Sequence, residues 1–158
     1  MPFAGKLASE FLINVAADKL YKIFKHECFN LPTISPKFIK QVRVHEGDWD
    51  THGHGSIKIW NYTTLEGKNE VLKEQVEFDD EKLMVIKTGL EGDAFRYYKG
   101  IKFIYQVVPK DQNLSLLTLA IEYEKLDDSL PHPYRYIDLL ISMMKDMESH
   151  LKCKPSMS

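Results

Sequence analysis

The sequence predicts an α+β protein in which a curved antiparallel sheet of seven strands surrounds one long C-terminal helix. Strand-like segments with two-residue alternation follow one another at short intervals from Phe38 to Glu124, whereas the one long helical periodicity comes last, from Tyr134 to Leu151. A strand over Ala94 to Val108 would span about 50 Å at roughly 3.3 Å per residue, so it must bend, and Gly100 is the expected kink. Seven strands make a sheet roughly 34 Å wide, while a helix is only about 10–12 Å across. The sheet therefore has to curl around the helix, which favours a space between them.

The first elements precede these hairpins. Alternation predicts a strand over Lys6 to Asn14, and a helix follows over Asp18 to His26. Pro32 and Pro36 then interrupt the chain, which leaves room for only a short second helix between His26 and Leu31.

The remaining strands are separated by short polar turns that contain glycine or acidic residues. Such short connections make neighbouring strands antiparallel. The predicted strands are Phe38–His45, Ser56–Leu65, Asn69–Phe78, Leu83–Leu90, Ala94–Val108 and Leu114–Glu124.

The C-terminal helix carries an unusually wide apolar face with three clustered methionines, Met143, Met144 and Met147. One interpretation is a helix packed in the core. The other is one wall of an apolar cavity, because methionine is flexible and adapts to several shapes. We expect Tyr136, Leu139, Met143 and Met147 to form the cavity-facing row, and Ile137, Ile141 and Met144 to meet the sheet edges.

Alternation also indicates which strand residues face inward. Trp60 and Tyr62 lie on one face of the predicted strand Ser56–Leu65. On the long strand Ala94–Val108 one face carries Ile101, Phe103, Tyr105 and Val107. Lys58 and Lys87 fall on the same inward faces, and lysines at such positions are expected at a solvated rim rather than in the interior.

Composition excludes several classes of function. The 21 basic and 23 acidic residues give a net charge of −2, and the scattered lysines provide no footprint for nucleic acid. The N-terminus lacks the pattern of a signal peptide, and no apolar run is long enough for a membrane span. Two cysteines, Cys28 and Cys153, indicate a reducing compartment. We therefore expect a soluble cytoplasmic monomer with a single domain over residues 1–152 and a flexible tail over 153–158.

Neither a metal nor a cofactor is predicted. His52 and His54 lie near Asp48 and Asp50, but their spacing matches no zinc motif, and a hairpin loop preorganises ligands poorly. Cys28 lies near His26, but the sequence shows no third group that would orient the histidine as a base. We therefore predict neither a cysteine nucleophile nor any other catalytic residue.

Several motifs along the whole chain resemble those of plant major latex proteins, which are related to the pathogenesis-related class ten proteins and the birch major pollen allergen. This resemblance implies the helix-grip fold with a large internal apolar cavity. It also implies binding of steroids, flavonoids or plant hormones, and roles in defence and stress responses. The motifs are His45–Trp49, Gly55–Tyr62, Lys73-Glu74, Leu90–Asp93, Gln106–Pro109 and Ile121–Lys125.

The chain departs from the class ten relatives in the loop from Glu46 to Gly55. Acidic and bulky residues stand among the glycines there, which makes phosphate binding improbable. The departure weakens any transfer of ribonuclease activity. Glu148 matches a residue implicated in that activity, but His150 stands where a tyrosine is expected, and Glu148 is most simply a solvated surface residue.

The leading hypothesis is a protein without catalytic activity that stores or transports a small hydrophobic or amphipathic ligand in its cavity. The alternative is an enzyme of plant specialised metabolism, of isomerase or cyclase type, with Lys58, Lys87, Glu74, Tyr105 and Tyr123 as the candidate ionisable groups. The predicted ligand-binding residues are Phe24, Leu31, Trp60, Tyr62, Leu72, Val85, Ile101, Phe103, Tyr105, Leu119, Ile121, Tyr123, Tyr136, Leu139, Leu140, Met143 and Met147.

Overall fold

The computed structural model describes residues 3–47 and 55–153. Seven strands and three α-helices account for most of this part of the chain. The strands are β1 (Ala4–Ile13), β2 (Ile39–Glu46), β3 (Ile57–Thr63), β4 (Asn69–Asp79), β5 (Met84–Gly92), β6 (Tyr98–Asp111) and β7 (Leu114–Lys125). The helices are α1 (Ala17–His26), α2 (Leu31–Ile34) and α3 (Tyr134–Cys153), with short 3₁₀ turns at Cys28–Asn30 and Asp93–Arg96.

All seven strands join one antiparallel sheet in the order β1-β7-β6-β5-β4-β3-β2. Strands β2 to β7 form successive hairpins, and β1 pairs with β7, so α1 and α2 carry the chain from one sheet edge to the other. The pairing of β6 with β7 is irregular between Tyr98 and Gly100, where the kink is predicted. The predicted α+β architecture of a seven-stranded sheet around a C-terminal helix is confirmed.

Helix α3 packs against the sheet and against the two shorter helices, so its apolar face is enclosed. Met144 and Met147 are fully buried there. Glu148 is half-buried, and its Oε2 accepts a hydrogen bond of 2.6 Å from the backbone N–H of Asn14. The expectation that Glu148 is simply a solvated surface residue misses this contact, in which the partly exposed carboxylate ties α3 to the end of β1. No helix within the described ranges has the length and apolar content needed to span a membrane.

The largest differences from the predicted boundaries lie at the starts of α2 and β6. Helix α2 begins at Leu31 and contains Pro32, because a proline in the first helical turn lacks only an N–H that would have no partner there. Strand β6 begins at Tyr98 rather than at Ala94, and a 3₁₀ turn takes up residues 93–96. This turn follows from Gly92, whose backbone has a φ of +138° and lies so close to β4 that a Cβ would stand 2.2 Å from a carbonyl oxygen there.

Candidate functional site

A cavity of about 60 Å³ lies between α3 and the sheet. We call it the main cavity. Strands β2 to β6 provide one wall through inward-pointing residues, and α3 provides the other through residues one turn apart. Its lining is aromatic and aliphatic except for one carboxylate and one ammonium, and comprises Ile39, Trp60, Tyr62, Leu72, Glu74, Lys87, Phe103, Tyr105, Tyr136, Leu139, Leu140 and Met143.

A second cavity of about 10 Å³ adjoins it towards α1 and the following 3₁₀ turn. Trp60, Glu74 and Lys87 line both cavities, so their side chains form the partition between the two spaces. The other residues of the second cavity are Phe24, Cys28, Lys58 and Val76.

Three charged side chains are buried at this partition. Lys58, Glu74 and Lys87 retain only 3%, 6% and 7% of their exposure. Lys58 on β3 stands opposite Glu74 on β4, and Lys87 on β5 is paired with Val76, two residues from Glu74. The expectation that both lysines lie at a solvated rim is wrong, since α1 and the 3₁₀ turn cover this end of the sheet with Phe24 and Cys28.

The two ammonium groups have different surroundings. Lys58 Nζ donates a hydrogen bond of 2.8 Å to Ser56 Oγ. Lys87 Nζ lies over the ring of Trp60, 4.1 Å from its centroid, and 5.3 Å from the centroid of Tyr105. Aromatic faces attract a cation, and this attraction strengthens when the pair is removed from water.

Burial governs the protonation of the neighbouring groups. It raises the pKa of Glu74 above its usual value, although the Lys87 and Lys58 ammonium groups act in the opposite direction. Burial, reinforced by the Glu74 charge, raises the pKa of Tyr105 well above its ordinary value. Burial also raises the pKa of the Cys28 thiol, so at neutral pH both the phenol and the thiol keep their protons.

A second polar group, which we call the Glu70 cluster, closes the end of the main cavity near the start of α3. The Glu70 carboxylate accepts hydrogen bonds from Tyr62 Oη at 2.8 Å, Tyr136 Oη at 2.9 Å and Arg135 Nη2 at 2.5 Å. The Arg135 guanidinium also stacks over the ring of Tyr97 at 4.6 Å. Burial and the Glu70 charge raise the pKa values of Tyr62 and Tyr136. The cluster therefore ties the first turn of α3 to β3 and β4 through two residues of the cavity wall.

The predicted ligand-binding residues divide into three groups by their position, and their contact with a ligand stays a prediction. Those on the surface of the main cavity are Trp60, Tyr62, Leu72, Phe103, Tyr105, Tyr136, Leu139, Leu140 and Met143. Phe24 lines the second cavity. The others are buried in the core without lining either cavity: Leu31, Val85, Ile101, Leu119, Ile121, Tyr123 and Met147.

Sequence reasoning left several cavity residues out of the predicted binding set. Glu74 and Lys87 were considered only as candidate ionisable groups for catalysis, and the signal that would have included them is their inward position in the alternation beside Trp60 and Tyr105. The other omissions are Ile39 in the main cavity and Cys28, Lys58 and Val76 in the second.

The remaining candidates do not join this site. Tyr123 Oη is hydrogen-bonded to Nδ1 of the exposed His132, away from the main cavity. The histidines and aspartates considered for metal binding, over residues 48–54, lie outside the described residues. In residues 3–47 and 55–153 no group of three or more His, Cys, Asp or Glu side chains is arranged to hold a metal ion.

Comparison with known proteins agrees with the resemblance seen in the motifs. The model of the pathogenesis-related protein Bet v 1 family matches residues 3–154. MLP-like protein 328 of Arabidopsis thaliana is 35% identical over 151 residues, which cover 96% of this chain and 98% of that protein. The crystal structure of ginseng major latex-like protein 151 from Panax ginseng superposes with a TM-score of 0.88 at 33% identity, over 94% of this chain and 97% of that one.

A more distant structure shares the fold alone. Norcoclaurine synthase from Thalictrum flavum, solved in complex with dopamine and hydroxybenzaldehyde, superposes with a TM-score of 0.80 at 16% identity, over 98% of this chain and 90% of that one.

Proposed function

Because the chain belongs to the pathogenesis-related protein Bet v 1 family, we propose that it binds small amphipathic molecules in the main cavity. The observation that carries this proposal is a space between α3 and the sheet whose walls are apolar and aromatic but which retains a buried ammonium and a buried carboxylate, Lys87 and Glu74. Small-molecule sites have this composition, with mostly apolar linings and a few polar groups that fix orientation.

The size of the main cavity limits what binds without rearrangement. Ligand pockets usually measure about 300–1,000 Å³, whereas this cavity measures about 60 Å³. A steroid, flavonoid or hormone of similar size therefore requires the walls to move apart. Met143 and Leu139 on α3 are the parts of the wall best suited to this, since methionine in particular changes rotamer readily.

We further propose storage or transport of the ligand by a cytoplasmic monomer, in connection with a defence or stress response. The family resemblance supports the physiological role, and the lack of an electrostatic footprint for nucleic acid supports a small molecule as the partner.

Titration with a fluorescent apolar dye tests the binding proposal. We expect saturable binding to the folded protein, and Leu139→Phe should weaken it because the larger side chain fills the cavity. The matched control is Leu12→Phe on the outer side of β1, where Leu12 is 58% exposed. No saturable binding to the folded wild type, or equal effects of the two variants, would contradict the proposal.

A second function, catalysis at the same site, is favoured by one observation. Glu74, Lys58, Lys87 and Tyr105 are buried beside one another, and perturbed titratable groups that share a cavity are typical of active sites. The chemistry that they support is an isomerisation in which the Glu74 carboxylate removes a proton from carbon and the ammonium of Lys87 stabilises the oxyanion, after which the proton returns to another carbon.

Deuterium exchange tests this second function. With 4-methylcyclohexanone in D₂O, NMR should show protein-dependent deuteration next to the carbonyl group that Glu74→Gln abolishes. The matched control is Glu122→Gln on the exposed face of β7. Exchange no faster than in buffer, or unchanged in Glu74→Gln, would remove catalysis by Glu74 from consideration.

A further inference from the structure

Four apolar side chains lie side by side on the solvent side of the sheet, where strands usually carry polar residues. Ala8 on β1 pairs with Ala120 on β7, Ala120 with Ile104 on β6, and Ile104 with Ile86 on β5, so the four form one row across four strands. We call the surface around this row the outer face. It holds a groove of about 500 Å³ that opens to solvent.

The outer face lies on the opposite side of the sheet from the main cavity. The inner side of the same strands carries the buried residues Val85, Phe103, Tyr105, Leu119 and Ile121. The four side chains of the apolar row stay exposed or half-buried. Because folding of one chain leaves this row in contact with water, we infer that the outer face is a docking surface.

The two halves of the outer face differ in the size of their side chains. Ala8 and Ala120 leave a hollow over β1 and β7, whereas Ile104 and Ile86 project from β6 and β5. The outer face is therefore concave on one half and raised on the other.

The two central strands, β7 and β6, also pair chemically complementary residues. Each pair joins opposite charges, two polar groups, or two apolar groups. From one end to the other, the pairs of β7 with β6 are Glu122 with Lys102, Ala120 with Ile104, Thr118 with Gln106, and Leu116 with Val108.

We propose that the outer face binds the outer face of a second copy of this chain, about a two-fold axis that runs parallel to the strands between β6 and β7. This rotation places β7 of each copy over β6 of the other. The raised half of one copy then fills the hollow of the other, because Ile104 lies over Ala120 and Ile86 lies over Ala8. Contacts between identical copies about a two-fold axis need such self-complementarity.

The charges agree with the same axis. Lys102 of each copy lies opposite Glu122 of the other, and within each copy these two residues are cross-strand neighbours. The four charges therefore alternate in sign across the contact, which favours association of the correct surfaces. Thr118 of each copy lies opposite Gln106 of the other, so a hydroxyl meets an amide.

A two-fold axis along the apolar row fits less well. It would place Ala120 on Ala120 and Ile104 on Ile104, which leaves the hollow empty and loses the dispersion contacts of its lining. It would also place Glu122 over Thr118, so the carboxylate would meet no opposite charge there.

The size of the outer face makes this association weak. Four strands at about 4.8 Å spacing, over the seven residues from Leu116 to Glu122, give roughly 19 Å by 23 Å per copy, or about 900 Å² for both copies. Stable interfaces bury about 1,200–2,000 Å² in total, and transient ones bury less. The monomer proposed above is therefore the form at low concentration, and the two-fold contact forms as the concentration rises.

Analytical ultracentrifugation between about 0.02 and 1 mM protein tests the association at low salt, where charge pairs are screened least. The weight-average sedimentation coefficient of the wild type should rise with concentration. In the same range, concentration-dependent NMR shifts should lie at Ala120, Ile104 and their neighbours on the outer face. This second measurement needs no variant.

Two charge reversals identify the axis. Lys102→Glu and Glu122→Lys should each weaken self-association at least about tenfold, because like charges then face each other across the contact. A mixture of the two variants should associate again, since every lysine of one copy then meets a glutamate of the other. The matched controls, Lys19→Glu on α1 and Glu66→Lys after β3, are exposed elsewhere and should associate like the wild type.

A third substitution tests the hollow itself. Ala120→Phe fills the space that Ile104 of the second copy needs, so it should weaken association although it makes the outer face more apolar. Circular dichroism checks that each variant folds. All of these variants should bind the fluorescent dye as the wild type does, because the sheet separates the outer face from the main cavity.

Several results would overturn the proposal. A sedimentation coefficient of the wild type that does not change with concentration would show that the outer face does not bind a second copy. Association that persists in Ala120→Phe, or NMR shifts confined to another surface, would place the contact elsewhere. Charge-reversal variants that do not associate when mixed would reject this two-fold axis. None of these results affects the binding function, which the dye titration tests separately.

Discussion

Replacing Glu70 by alanine should strongly destabilise the protein. Glu70 is only 6% exposed, and its carboxylate accepts hydrogen bonds from Arg135, Tyr62 and Tyr136. A surface ion pair would contribute about 0–1 kcal/mol, but removing one partner of a buried pair usually costs about 3–5 kcal/mol. The larger range applies here, because the substitution leaves a guanidinium and two buried phenols without their acceptor. We therefore expect Glu70→Ala to lower the free energy of unfolding by about 3–5 kcal/mol.

Urea unfolding followed by circular dichroism measures this loss. Glu77→Ala is the matched control, since Glu77 lies on the same strand with its side chain exposed, and it should change stability by less than about 0.5 kcal/mol. The double variant Glu70→Leu with Arg135→Met should recover part of the loss, because it removes the unpaired charge as well as its partner. A loss below about 1 kcal/mol for Glu70→Ala, with an unchanged dependence on urea, would refute the view that the Glu70 cluster fixes the start of α3.

Three further predictions concern stability. Burial raises the pKa of Glu74 from its usual 4.5, so the folded state binds the Glu74 proton more tightly than the unfolded state. The free energy of unfolding should therefore fall as pH rises above 4.5. Urea unfolding at several pH values should show that Glu74→Gln removes this loss of stability. For Asp80 the sign is opposite, because the hydrogen bond from the Lys25 ammonium lowers the pKa of this carboxylate below 3.8. Its contribution to the free energy of unfolding is therefore present above pH 3.8 and is lost as pH falls through the folded-state pKa. In the same assay, Asp80→Asn should lose less stability in acid than the wild type. Gly92→Ala should destabilise by more than about 2 kcal/mol in thermal or urea unfolding, whereas Gly67→Ala should cost only about 1–2 kcal/mol. Both glycines have positive φ values, +138° and +89°, but only at Gly92 does a new Cβ meet backbone, at 2.2 Å; equal losses would contradict this explanation.

The alternation of apolar and polar residues predicted the strands well because each strand has one buried face. The alternation of Trp60 and Tyr62 with exposed neighbours is set by the pleat of the chain, and a one-residue slip would expose the whole row. The start of β6 was placed wrongly for a different reason. The turn after Gly92 depends on how closely the backbone approaches β4, a contact between segments that no local pattern contains.

The candidate site was predicted only in part, because inward orientation does not specify which inward residues reach an open space. Val85 and Ile121 face inward as predicted, yet they pack in the core without lining either cavity. Lys58 and Lys87 were expected at a rim because a lysine is usually solvated there. Their burial depends on the position of α1 and its 3₁₀ turn over the sheet, which follows from tertiary packing.

We expect the two walls of the main cavity to affect ligand binding differently. The wall from α3 offers Leu139, Leu140 and Met143, which are apolar and can change rotamer, so substitutions there should change the volume available to every ligand alike. The wall from the sheet holds Lys87 and Glu74 on adjacent strands, where the backbone hydrogen bonds fix their spacing. Substitutions in the sheet wall should therefore change the ratio of affinities between ligands, while substitutions on α3 should change all affinities together. Of the three clustered methionines with which α3 stands out in the sequence, Met143 lines the main cavity and should therefore influence how large a molecule is admitted, whereas the two charged residues on β4 and β5 should influence which one is preferred.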